Sequence, residues 1–327
     1  MSARLARRRA AFVAVLIAVA VTSLARPAAA KLCGDAVDGH DVPCACGDVL
    51  ASSVVLDGDP VTSAICQRDG LIVRAQDNRT AIRLDLHGHT LRGSGAGTGL
   101  RILDGGPGGA SIVSSDGVAT LEHFDDGITA RGSDGVSLIQ DVRVRDSRGD
   151  GVRISGRAFV IRRVVVEEAK RDGFSFTGAG FDVSETRASD CGRFGYSVMG
   201  NSGIIGRPGG ANLAERNGTA GFNVMGSGHT LEACTARDGR KDGMALLATK
   251  LDVRDCDATG NAGDGVAGVG SRWQLSGNRA DNNGGDGLTA RGPGMVDAGG
   301  NRGADNRGGG RQRPAVQCEI GNAPCQP

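Results

Sequence analysis

The 327-residue chain carries 55 glycines but only one Trp, one Tyr and eight Phe. A conventional core of that size rests on bulky side chains, so this composition, lacking a Gly-X-Y period, points to many tight turns around a thin core. The formal charge is +1, and removing residues 1–30, with five Arg and no acid, would leave 33 bases against 37 acids, which excludes the strong basic footprint of general nucleic-acid binding.

Taken in chain order, residues 1–30 read as a secretory signal. Arg4, Arg7, Arg8 and Arg9 precede an apolar run from Ala10 to Leu24, and Ala28-Ala29-Ala30 precede Lys31. Cleavage is expected after Ala30. The run is shorter than the roughly 20 residues of a membrane span, and Arg26 ends it. A secreted protein, periplasmic or extracellular, is therefore expected, with no membrane span after signal cleavage and the export route left open.

An exported chain uses cysteines for bridges more readily than for metals. Cys33, Cys44, Cys46 and Cys66 crowd one end and Cys318 and Cys325 the other, so these six are expected to staple the two ends, in a connectivity the spacing leaves open. Cys44-Ala45-Cys46 lacks the spacing and partners of a zinc site. Further on, "LDLHGHTLRGSG" places His87 and His89 two residues apart. They can be weighed as metal ligands or as part of a structural turn.

From residue 127 onward the chain is periodic. Gly127, Gly151, Gly173, Gly195, Gly221, Gly243, Gly265 and Gly287 are spaced by 24, 22, 22, 26, 22, 22 and 22 residues. A fixed period of this length marks a solenoid. Apolar residues hold one column immediately after the marker glycines and another twelve residues before them. Val or Ala fills the column seven before, and Gly recurs five after. The alternation in Gly151-Val152-Arg153-Ile154-Ser155-Gly156 describes a short half-buried strand closed by Gly. A second short strand, such as Phe159-Val160-Ile161, follows in each unit. The predicted fold is all-β: a single-stranded right-handed parallel β-helix of about nine or more 22-residue coils, roughly 40 Å tall at the spacing of paired strands. The predicted organisation is a signal at 1–30, a disulfide-rich cap with the first coils at 31–95, repeats at 96–310, and a Cys-bearing tail at 311–327.

The units "CDATGNAGDGV" and "NRADNNGGDGL" resemble those of the secreted right-handed β-helix repeat proteins of pectin-lyase-like fold. "LDLHGHTLRGSG" resembles their opening segment, with His87 where Asn is usual; there the resemblance implies a structural turn. It covers nearly all of the mature chain and specifies fold far more sharply than activity. It implies an extracellular polysaccharide or cell-surface glycan as partner, no nucleic acid, and a monomer.

Three sets of residues are candidates for chemistry. Asp126, Asp150, Asp172, Asp242, Asp264 and Asp286 precede marker glycines and suit a turn that accepts backbone N–H groups; calcium bridging coils, at Asp172 and Asp242, is the alternative. Beside them run Lys170, Arg171 and Lys241. In lyases and epimerases of the resembling fold, such a base removes the proton beside a uronate carboxylate, which a cation neutralises. Arg153, Ser175, Arg193, Ser197, Arg207 and Asn223 are expected to hold the polymer. The 26-residue interval, with extra residues at Gly206-Arg207-Pro208-Gly209-Gly210-Ala211 and the Asp column broken at Phe194 and Ala220, marks the expected site, between Lys170 and Lys241 and under that loop. The scarcity of aromatic residues for stacking on sugars favours the other reading, a non-catalytic surface, matrix or adhesion protein.

Overall fold

A computed structural model of the chain describes residues 30–74, 81–104, 109–132, 135–308 and 316–325. The expected signal lies outside these residues except for Ala30. The chain is a right-handed parallel β-helix. One strand of each middle coil joins a 15-stranded sheet, and two shorter ones join a 20-stranded sheet. The coil from residue 174 runs through Phe174–Ala179, Asp182–Ser184 and Arg187–Ser189. Three strands per coil replace the two expected. Single residues in left-handed conformation, such as Glu185 and Asp255, turn the second strand into the third.

The first strands stack in register. Val152, Phe174, Tyr196, Phe222, Met244, Val266 and Leu288 stand one above another, all buried. The rings of Phe174, Tyr196 and Phe222 stack at centroid separations of 4.8 and 4.6 Å, so strand spacing and ring stacking coincide. Among the described residues, Trp273, Tyr196 and every Phe except Phe194 are buried.

The marker glycines are a matter of space. A Cβ on Gly173 would lie 2.7 Å from the Gly195 carbonyl oxygen and 2.8 Å from the Ala188 Cβ. The Ala column and the Gly column face each other across a thin core. Gly178 answers a different demand: it has φ +136°, and the Gly156 carbonyl occupies the place of a side chain.

Polar ladders satisfy the coil corners. Asp126 Oδ1 accepts the Asp150 N–H at 2.8 Å, Asp150 Oδ1 the Asp172 N–H at 3.2 Å, and Asp242 Oδ1 the Asp264 N–H at 2.9 Å. Each carboxylate therefore caps the coil that follows. A second ladder lies deeper: Asn283 Oδ1 accepts both the backbone and the side-chain N–H of Asn261, and Asn306 does the same for Asn283. Cys234 and Cys256, for which a bridge or an inward thiol ladder stood open, are buried free thiols, as is Cys191. Burial pushes the Cys191 thiol up to about 12.

Disulfides Cys33–Cys44 and Cys46–Cys66 close one end and Cys318–Cys325 the other. The coil stack does not stop near residue 310. Cys318–Ile320 adds a parallel rung to Leu288–Ala290, and Ala323–Pro324 folds back on it antiparallel. The single turn Pro60–Ser63 is the helix among the described residues, where no helix is long and apolar enough to cross a membrane.

Candidate functional site

The outward side of the 15-stranded sheet carries two rows of side chains. In one, Arg101, Thr129, Arg153, Ser175, Ser197 and Asn223 stand in register, followed by Ala245 and Ala267. In the other, Arg131, Ser155 and Thr177 give way to Met199, Met225, Leu247 and Val269. Charge is concentrated in the early coils. Leu247 and Val269 leave 58% and 56% of their surface in solvent, so the later coils present a flat apolar strip.

Two concavities flank the charged end. The first, of about 300 Å³, is lined by Arg101, Asp126, Thr129, Arg131 and Arg153. Arg101 pairs with Asp69 at 2.9 Å, and Arg153 bridges Asp150 at 2.7 Å and Asp126 at 3.3 Å. Burial raises the Asp126 carboxyl above the usual range against the pull of the Asp150 N–H and of Arg153.

The second, of about 480 Å³, is lined by His123, Asp146, Arg148 and Lys170 against Gly93, Ser94 and Gly95. His123 Nδ1 lies 2.8 Å from Asp146 Oδ2, and Lys170 Nζ lies 3.8 Å from Asp146 Oδ1. His123 and Asp146 both have positive φ, at the corner where the third strand of a coil turns toward the next first strand. The Arg148 guanidinium fills the space above Gly95, where a side chain would collide with it. The imidazole thus lies against the Asp146 carboxylate, beside two cationic groups able to face an anion.

Of the residues expected to hold the polymer, Arg153, Ser175, Ser197 and Asn223 share one row. Lys170 enters the second concavity. Arg171 and Arg193 lie along the same corner, 3.7 Å from Asp150 and 3.4 Å from Asp172. Lys241 stands three coils farther on, about 14 Å at the spacing of paired strands, so it does not share a concavity with Lys170. Asp172 and Asp242 are separated in the same way and cannot touch one ion together. Oδ1 of each accepts a backbone N–H, from Phe194 and Asp264 respectively.

The expected cover over the site is not there. The insertion joins Ile204–Ile205 to Asn212–Glu215, at the corner between second and third strands. Arg207 pairs through two contacts, 3.0 and 2.6 Å, with Asp182 at that corner, away from Lys170 and Lys241. A two-strand coil has no such corner, which is why the loop was misplaced. His123 and Asp146 were missed because the corner before Gly127 is one residue shorter, which sets His123 four residues before its marker glycine and Asp146 five. The signal was the column of Asp146, Asp190, Asp238 and Asn282, residue types that favour the left-handed corner.

A family model described as right-handed beta helix region matches residues 209–310, the most regular coils, and begins beyond both concavities. Among solved structures, the chain is similar to the A-module of mannuronan C-5 epimerase AlgE4 from Azotobacter vinelandii, at 17% identity over 79% of this chain and 77% of that one, with TM-score 0.48. It is also similar to the periplasmic alginate epimerase AlgG, at 11% identity over 78% and 82%, TM-score 0.39. A third likeness is to pectate lyase Pel9A, at 13% identity over 74% and 68%, TM-score 0.34. These likenesses are of fold. No curated protein matches the sequence.

Proposed function

We propose that this right-handed parallel β-helix protein is exported, binds an extracellular acidic polysaccharide across its early coils, and processes it by proton abstraction beside a uronate carboxylate, as a lyase or an epimerase. The observation that supports this most is the meeting of His123, Asp146, Arg148 and Lys170 in one concavity, beside an outward row that carries Arg101 and Arg153. Both reactions begin with loss of the proton next to a carboxylate, and both need cationic charge to hold the enolate-like anion that results. In this reading His123, in contact with Asp146, takes the proton, and Arg148 and Lys170 face the carboxylate. Three disulfides suit an oxidising compartment. Pectate, alginate and related uronates, with and without calcium, would be followed for new double bonds by absorbance and for inverted C5 centres by proton NMR. Turnover by the wild type is expected to fall about 100-fold or more in His123→Ala and Lys170→Ala and to persist in Lys241→Ala. Inertness on every uronate, with no binding by calorimetry, would overturn the reading.

The apolar strip of Met199, Leu247 and Val269 favours a second reading, a non-catalytic surface or adhesion protein that meets its partner through the later coils. Adhesion lost in Leu247→Asp and kept in Lys170→Ala would support it.

A further inference from the structure

The corner that carries His87 and His89 lies elsewhere on the solenoid, between a second and a third strand near the capped end. Ile82–Asp85 leads into it and Thr90–Gly93 leads out. Val54 and Val55 pair in register with Leu84 and Asp85, so two residues farther along both strands Asp57 stands over His87. A carboxylate oxygen of Asp57 and one ring nitrogen from each histidine all lie within 4.8 Å of one another. The histidine turn is held on several sides. Asp85 Oδ1 accepts the His87 N–H at 3.1 Å and the Ser115 N–H at 2.9 Å, Ser114 Oγ accepts the Gly88 N–H at 2.8 Å, and the Leu86 carbonyl accepts the His89 N–H at 2.9 Å. His87 is in the left-handed region, at φ +47°, so its ring is aimed by a backbone conformation that few residue types accept.

We infer that Asp57, His87 and His89 form a divalent transition-metal site, best suited to zinc, that ties the first coils together at the capped end. Two imidazoles and one carboxylate are the donor set of zinc and its first-row neighbours and a poor one for calcium, which takes oxygen ligands. Tetrahedral coordination at roughly 2.1 Å sets ligand atoms roughly 3.4 Å apart. The three groups therefore close by at most about 1.4 Å on binding, a movement the solvent-exposed Asp57 side chain can supply. Three protein ligands leave a coordination position for water. In the chain the tie adds to Cys33–Cys44 and Cys46–Cys66, because the coil holding Asp57 otherwise joins the next through short strands, two residues long at Val54–Val55 and at Ile65–Cys66. The site is independent of the proposed polysaccharide chemistry.

The untagged protein, stripped with a chelator and dialysed, would be titrated with Co²⁺ alone, read by its visible d–d absorption, and with Zn²⁺ alone by calorimetry. One equivalent is expected to bind with Kd tighter than about 0.1 mM and to raise Tm. His87→Asn, which keeps a residue tolerant of the left-handed corner, and Asp57→Asn are each expected to weaken binding about 10-fold or more and to abolish the Tm rise. Binding weaker than about 0.1 mM, or wild-type affinity in both variants, overturns the site.

Discussion

At Gly173 the neighbouring coil's carbonyl and the Ala188 methyl already fill the space a Cβ would take. Gly173→Ala is expected to lose about 1–3 kcal/mol, seen as a lower urea midpoint at unchanged m. His229 shows a different constraint. It is buried, its Nδ1 accepts the Gly203 N–H at 3.1 Å, and its Nε2 lies 2.9 Å from the Gly200 carbonyl, so the neutral ring with Nε2–H satisfies both. Burial holds its pKa below the ordinary value. The unfolded chain therefore binds a proton that the folded chain refuses once pH drops below about 6.5, and stability falls with pH from there until the folded pKa is passed. The fall is expected to approach 1.4 kcal/mol per pH unit in excess of that in His229→Gln, measured by urea unfolding between pH 7.5 and about 4.5.

At the scale of the element, the ladders hold the coils as much as the apolar columns do. Asn283 receives two hydrogen bonds from Asn261 and donates to the Ala258 carbonyl and Asn306 Oδ1. Asn283→Ala would leave the Asn261 backbone N–H buried without a partner and take one hydrogen bond from the Ala258 carbonyl, and a loss of about 1–3 kcal/mol is expected by thermal or urea unfolding. The first strand of each coil was plain in the sequence because its buried and exposed residues alternate over several positions, as in Val152-Arg153-Ile154-Ser155. The third strand was not, because Arg187-Ala188-Ser189 contributes one Ala column and too few residues for any period. The amide ladder was hidden for a related reason. Ser147, Ala169, Cys191, Asn217, Asn261 and Asn283 share one column, and only depth in the fold shows that small and amide side chains are interchangeable there.

Over the whole molecule, polarity changes along the solenoid axis. The charged concavities sit in the coils from Ile65 to Lys170, and the apolar strip follows from Met199 to Val269. The outward row of Arg153, Ser175, Ser197 and Asn223 was legible because residues one period apart must stack. What meets across a corner was not, because the corners depend on single left-handed residues and on intervals of 24 and 26 that break the count. Calorimetric titration of a polyuronate into the wild type, Lys170→Ala and Leu247→Ser tests most directly whether the charged end is the site. Binding weakened about tenfold or more in Lys170→Ala and unchanged in Leu247→Ser is the expected result. No binding by the wild type, or a loss confined to Leu247→Ser, would contradict it.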